Sequence, residues 1–191
     1  MDSRGVCQFR LCTVGKNATG RQGGAGLFRS GLPAGSNALS VESRPGKTGN
    51  FADGANEIDR VVALASVLSG DWEAVQEDIA AVFSACGTTP LKVIFETCLL
   101  DSGAIDRWCA TCSETGVAFV KTSTGFSTGG ATVEVAARMR RHLDEAIEVK
   151  ASGGIRDRET ALARVEAGAT RLGTSAGVAI VSGGKVSPAA Y

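Results

Sequence analysis

Lys121 and Lys150 each close a short apolar run and are followed at once by small residues. The two stretches read Val117-Ala118-Phe119-Val120-Lys121-Thr122-Ser123-Thr124-Gly125 and Ile147-Glu148-Val149-Lys150-Ala151-Ser152-Gly153-Gly154. Burying an ammonium costs more than its stem gains unless a partner or a lost proton compensates, so a lysine ending a core strand is a candidate for amine chemistry. One such lysine often just snorkels to solvent. Here there are two, 29 positions apart, with a helix-like run over 133–143 between them. That spacing suits one strand–helix–strand unit, which would bring both lysines to one site. A free lysine titrates near ~10.4, and bringing it to about 7 means offsetting roughly 5 kcal/mol. A neighbouring ammonium and an apolar pocket both act in that direction, and the neutral amine can then attack a carbonyl to form an imine.

Other residues could complete such a site. Asp59, within Glu57-Ile58-Asp59-Arg60-Val61-Val62, is a carboxylate in an otherwise apolar strand; it is either a structural aspartate with its own partner or a residue placed there for function. Gly153-Gly154-Ile155-Arg156 and Gly173-Thr174-Ser175 are loops after successive strands, where backbone amides, a helix N-terminus and one arginine suit a phosphate. Lys92 and Glu96 share the parity of one strand and Glu148 that of Lys150, so Lys92 and Glu148 are expected to neutralise each other in the core. Glu96 is expected to order the upper end of the site. Cys109 and Cys112 form a C-x-x-C inside a predicted helix, without a second pair at zinc spacing, and read as ordinary residues of a helix face. His142, flanked by Arg140, Arg141 and Asp144, reads as a solvated helix position and a poor general base.

These residues need a scaffold. The chain has 191 residues, 43% hydrophobic and 21% charged, with zero formal net charge, which suits a soluble domain with one sizeable core. Nothing favours nucleic acid: a basic stripe is missing, and one Tyr and two Trp offer little stacking surface. No apolar run approaches the ~18 residues of a membrane span, and the N-terminus lacks a signal-like stretch. With that context the six cysteines read as reduced thiols and the chain as cytoplasmic.

Beyond residue 53 strand-like and helix-like segments alternate. Strands are expected over 57–64, 91–97, 118–122, 147–151 and 170–173, and helices over 72–86, 104–115, 133–143 and 158–167. Strict alternation with continuous apolar strands implies a parallel sheet covered by helices, an α/β fold. Residues 1–53 are rich in breakers and read as irregular, with 8–14 and 26–28 as two short candidate strands.

Five motifs resemble those of the deoxyribose-phosphate aldolase family, in the family's order. They are Gly54-Ala55-Asn56-Glu57-Ile58-Asp59, Leu91-Lys92-Val93-Ile94-Phe95-Glu96-Thr97, Phe119-Val120-Lys121-Thr122-Ser123-Thr124-Gly125-Phe126, Val149-Lys150-Ala151-Ser152-Gly153-Gly154-Ile155-Arg156 and Arg171-Leu172-Gly173-Thr174-Ser175. The resemblance runs from about Gly54 to Val181. It implies a (β/α)8 TIM barrel and a class I aldolase that needs neither metal nor organic cofactor. The implied reaction cleaves 2-deoxyribose 5-phosphate to glyceraldehyde 3-phosphate and acetaldehyde. By position it makes Lys121 the Schiff-base nucleophile, Lys150 the second lysine, and Asp59 part of the proton relay; Gly125, Gly153, Gly154, Arg156, Gly173 and Ser175 match positions around the phosphate.

The chain departs from the family at its front. Before Gly54 only Gly31-Leu32-Pro33-Ala34-Gly35 is similar, and Pro45, Gly46 and Gly49 interrupt the helix expected over 36–53, where Pro alone costs about 3 kcal/mol. The first two barrel strands lack a clear counterpart, Cys7 or Cys12 being the nearest echo. Arg60 and Ala176 replace an apolar residue and a serine, and Tyr191 resembles a C-terminal tyrosine of some members. The expected organisation is therefore a partly degenerate barrel segment over 1–53, a catalytic barrel segment over 54–181 and a tail over 182–191. Three functions remain open: an aldolase acting on a small phosphorylated sugar; a non-catalytic sugar-phosphate binder or inactive truncated fragment; and an assembly partner completed by another chain, a homo-oligomer included.

Overall fold

The computed structural model describes residues 10–12, 27–30, 57–125 and 127–182, the first two stretches by their backbone path. Cys7, the loop at 31–35, Pro45, the start of the first motif at 54–56, Phe126 and Tyr191 lie outside the described residues.

Seven parallel strands form one sheet: β1 (Arg10–Cys12), β2 (Leu27–Ser30), β3 (Glu57–Val61), β4 (Leu91–Ile94), β5 (Phe119–Lys121), β6 (Glu148–Ser152) and β7 (Arg171–Gly173). Among the described residues six α-helices accompany them: α1 (Leu64–Ser69), α2 (Trp72–Cys86), α3 (Ser102–Thr115), α4 (Val133–His142), α5 (Arg158–Glu166) and α6 (Gly177–Ser182). The strand order is β1-β7-β6-β5-β4-β3-β2. An open sheet wound in sequence would set β1 beside β2. Here the first strand pairs with the last, Leu11 opposite Leu172, so the sheet wraps round on itself as in a TIM-type barrel. β1 and β2 fall on the two candidate runs of the front segment, and they cover the edges of β7 and β3 that five strands alone would leave bare.

Local chemistry explains the helix starts. Asp71, Asp101, Thr132 and Asp157 each accept a hydrogen bond from the backbone N–H three residues on, which satisfies one of the orphan donors of α2, α3, α4 and α5. Several expected boundaries move: the strand predicted over 91–97 stops at Ile94, and the helix predicted over 104–115 already begins at Ser102. The strand predicted over 57–64 stops at Val61, because Leu64 opens α1, which ends at Gly70 in the left-handed conformation with its N–H on the Ser66 and Val67 carbonyls. An apolar run this short suits strand and helix equally, and only the capping geometry separates them.

The sheet has two unlike faces. Ile58, Leu91, Val93, Phe95, Val120, Val149, Ala151 and Leu172 point to the helices and form the apolar core with Val75, Ile79, Trp108 and Met139. Trp108 lies 5.7 Å from Phe95 and edge-on to Trp72 at 6.1 Å. Arg60 also faces this layer, where Asp78 of α2 accepts from its guanidinium at 2.7 and 2.8 Å. The residues of alternate parity line the inner face, and there the charge collects.

Candidate active site

Strand register brings the two lysines together. Lys121 on β5 is the direct partner of Lys150 on β6, and Lys150 is the partner of Arg171 on β7. On the other side Asp59 of β3 is the partner of Lys92 on β4. Strand alternation then puts these side chains on one face. All are buried: Lys92 is 0% exposed, Asp59 2%, Lys150 4% and Lys121 6%, so none of these charges is dispersed in bulk water.

Asp59 stands between two lysines. Its Oδ1 accepts from Lys92 Nζ at 2.8 Å, and its Oδ2 lies 4.0 Å from Lys121 Nζ. Lys92 also donates to Glu57, whose other oxygen accepts from Arg171 Nη1 at 2.5 Å. Burial alone would raise the Glu57 carboxyl; the hydrogen bonds and charges of Lys92 and Arg171 outweigh it and hold the group below its ordinary value. Phe119, two residues before Lys121, gives this layer an apolar floor, with the Arg171 guanidinium 4.0 Å and Lys92 Nζ 5.5 Å from its ring centre.

The expected Lys92–Glu148 pair does not form. Lys92 pairs with Glu57 and Asp59 instead, and Glu148 is exposed and accepts from the Thr170 hydroxyl at 3.0 Å. Strand parity cannot resolve depth: Glu148 begins β6 at the open end, whereas Glu57 and Asp59 flank Lys92 across the adjacent strand. Arg171 and Phe119 were visible only as members of apolar motifs, and their inward parity was the one signal available.

Above the lysines the strand ends interlock. Glu96, the one non-glycine with positive φ (55°) among the described residues, turns its carboxylate to the backbone N–H of Thr124 at 3.1 Å and so pins the loop after Lys121. Thr122 Oγ1 donates to the Ser152 carbonyl and accepts from the Ser152 N–H. Ala131 N–H reaches the carbonyls of Ser152 and Gly153, and Gly130 packs so closely on Gly153 that a Cβ there would lie 2.6 Å from its carbonyl oxygen. The Thr174 hydroxyl donates to the Ile155 carbonyl at 2.6 Å, tying the loop after β7 to the loop after β6.

The sequence-predicted phosphate residues lie on these tied loops. Gly125, Gly153 and Gly154 have φ of 90°, 86° and 73°, a backbone that leaves amides free to turn toward an anion and that side chains resist. Arg156 and Ser175 are exposed, and Gly173 sits beneath them where a Cβ would overlap Ser152 Oγ and lie 3.3 Å from Lys150 Cε. Ser152 Oγ and Ser123 Oγ are buried without a hydrogen-bond partner.

Two other candidates fall away from this centre. Cys109 and Cys112 are fully buried on α3; burial pushes the Cys109 thiol up to about 12 and Cys112 well above its ordinary value, so neither supplies a thiolate. His142 is exposed, its Nδ1 2.9 Å from the Arg138 carbonyl. Among the described residues no helix is long and apolar enough to cross a membrane.

Comparison with known proteins places the fold in a family. A family model described as DeoC/LacD family aldolase matches residues 48–183. Deoxyribose-phosphate aldolase of Mannheimia succiniciproducens is 50% identical over 153 residues, covering 80% of this chain and 68% of the relative. That of Brevibacillus brevis is 51% identical over 162 residues, covering 84% and 72%. Among solved structures, the aldolase QR15 is similar with a TM-score of 0.65 at 41% identity over 70% of this chain. The tetrameric deoxyribose phosphate aldolase of Aeropyrum pernix is similar with a TM-score of 0.62 at 31% identity over 69%. The matched part spans 60% and 56% of those two solved chains. With the wrapped parallel sheet, the paired inward lysines and a family match across most of its length, the chain belongs to the DeoC/LacD family of aldolases.

Proposed function

We propose that this protein is a class I aldolase, a carbon–carbon lyase that cleaves 2-deoxy-D-ribose 5-phosphate to D-glyceraldehyde 3-phosphate and acetaldehyde by way of an imine on Lys121. The observation that carries the reading is the register pairing of two buried lysines with a carboxylate 4.0 Å from one of them.

Lys121 attacks the aldehyde carbon of the open-chain sugar, and loss of water from the carbinolamine gives the imine. That imine is an electron sink. Removing the proton of the sugar's 3-hydroxyl lets the C2–C3 bond break, leaving glyceraldehyde 3-phosphate and an enamine on Lys121. Protonation of the enamine carbon and addition of water then release acetaldehyde and the free amine. Lys150 has two parts: its positive charge disfavours a proton on Lys121, and it carries protons with Asp59. Asp59 is suited to this because Lys92 already holds one of its oxygens and leaves the other toward Lys121.

The substrate phosphate takes the loops of Gly125, Gly153-Gly154 and Gly173-Ser175, with Arg156 as the cation. A sugar phosphate suits loops that follow the lysine-bearing strands, because its reacting carbon lies at the far end from the ester. On this reading the enzyme belongs to deoxyribose phosphate catabolism in the cytoplasm. A homo-oligomer is its expected state, in line with the tetramer of the similar Aeropyrum pernix protein.

Acetaldehyde and borohydride should leave a single reduced adduct on Lys121, mapped by peptide mass spectrometry, and Lys121→Leu should abolish both the adduct and turnover of deoxyribose 5-phosphate. Labelling elsewhere with Lys121 untouched would overturn the assignment. Phosphate-dependent binding without any adduct would favour a sugar-phosphate binder instead.

A further inference from the structure

The inner face carries more buried charge than the proposed steps use. Arg171 stands in register beside Lys150, yet its guanidinium is engaged with the Phe119 ring and with Glu57 Oε2 at 2.5 Å. Glu57 accepts from Lys92 with its other oxygen, and Lys92 holds Asp59 at 2.8 Å. Asp59 in turn faces Lys121. The result is one chain of alternating charge, Arg171–Glu57–Lys92–Asp59–Lys121, across four strands.

Such a chain is a poor device for stability. Each ion gives up much of its hydration on burial, and well-packed apolar residues of the same volume usually hold a fold as well or better. Its physical effect lies elsewhere: salt links at both ends fix each carboxylate rotamer, and the sum of charges sets the field at the last group. The described groups on this face are Glu57 and Asp59 against Lys92, Lys121, Lys150 and Arg171, so the cations outnumber the anions. Glu96 is occupied at Thr124, and Glu148 is open to solvent. On β1 and β2, Arg10 and Arg29 hold the register positions beside Arg171 and Asp59.

We propose that Arg171 and Glu57 are positioning residues that act through Lys92: they aim the Asp59 carboxylate at Lys121 and set the net charge around its amine. This rests on the reading in which Lys121 forms the imine. Phe119 is the surface that keeps the Arg171 guanidinium flat and directed at Glu57 rather than at the lysine pair.

The two ends of the chain carry opposite charge, so their removal has opposite signs. Glu57→Gln deletes an anion, and the acid limb of the kcat/KM profile should move to lower pH by about half a unit or more. Arg171→Met keeps the stem over Phe119 but deletes a cation, and the limb should move to higher pH by a similar amount. In both, kcat should fall about tenfold with KM little changed, because Arg171 and Glu57 are already engaged with each other and with Lys92. The double variant should return the midpoint close to that of the parent while kcat stays low. Arg171→Lys and Glu57→Asp, which keep the charges, should keep the parental midpoint and serve where a neutral variant fails to fold. Borohydride trapping with acetaldehyde across the same pH range supplies the control. No trapping in the parent would sink the imine reading itself. Trapping in the parent and variants with one common midpoint would leave the imine standing and overturn the positioning role.

Discussion

At the scale of single residues, the site depends as much on an absent side chain as on those present. Gly173 occupies the inner face beside β6, where a methyl group would overlap Ser152 Oγ and press on Lys150 Cε. Gly173→Ala is therefore expected to displace the second lysine and cut kcat by about tenfold or more while the far-ultraviolet circular dichroism stays unchanged. Adding Ser152→Ala, which removes the overlapping oxygen, should restore part of the loss. Equal activity of Gly173→Ala and the parent would mean that Lys150 can move aside at no cost. The sequence made the lysines legible because a strand-ending lysine is rare in a core, but Gly173 only as one glycine in a loop. Its role depends on a neighbour 21 positions earlier in the chain.

At the scale of elements, the ion pair between β3 and α2 and the charge chain on the inner face behave differently. Arg60 and Asp78 are buried against the apolar core with two hydrogen bonds between them. Asp78→Ala leaves a guanidinium there without its carboxylate and should cost about 3–5 kcal/mol in urea denaturation, whereas replacing both by Met and Leu should be near neutral. A small loss in the single variant would mean that water reaches Arg60. Glu57 gives the chain an acid limb of stability. Its carboxyl titrates below the unfolded value, so the contribution is full above the ordinary glutamate range of about 4.3 and is lost as pH falls through the depressed folded value. Thermal melts between pH 6 and 3 should show this decline, and Glu57→Gln should flatten part of it. Sequence reading placed Arg60 as a departure from an apolar norm; its compensation sits 18 residues away on a helix, beyond any local pattern.

At the scale of the whole molecule, the front of the chain contributes two strands that cover opposite edges of the sheet. β1 lies along β7 and β2 along β3, so the earliest strand meets the last. A chain beginning at residue 31 would expose both edges at once and should self-associate, with a sedimentation coefficient that rises with concentration, more than the full chain does. A truncated chain with the parent's sedimentation behaviour would show that these edges are protected by something other than β1 and β2.

Sequence alone determined the α/β alternation, the starts of three helices, a fourth to within two residues, and the identity of the two lysines, since hydrophobic period and a misplaced charge are local signals. The front strands were visible only as short runs, because three or four residues carry too little periodicity to outweigh the surrounding Gly and Pro. Tertiary structure decided the rest: that β1 pairs with β7, that Lys121 and Lys150 share a register, and that Lys92 belongs to Glu57 and Asp59 rather than Glu148. The physical reason is common to all three. Which charges meet in a barrel is set by strand register and depth across the chain, and burial makes each such meeting decisive because water cannot stand in for a missing partner.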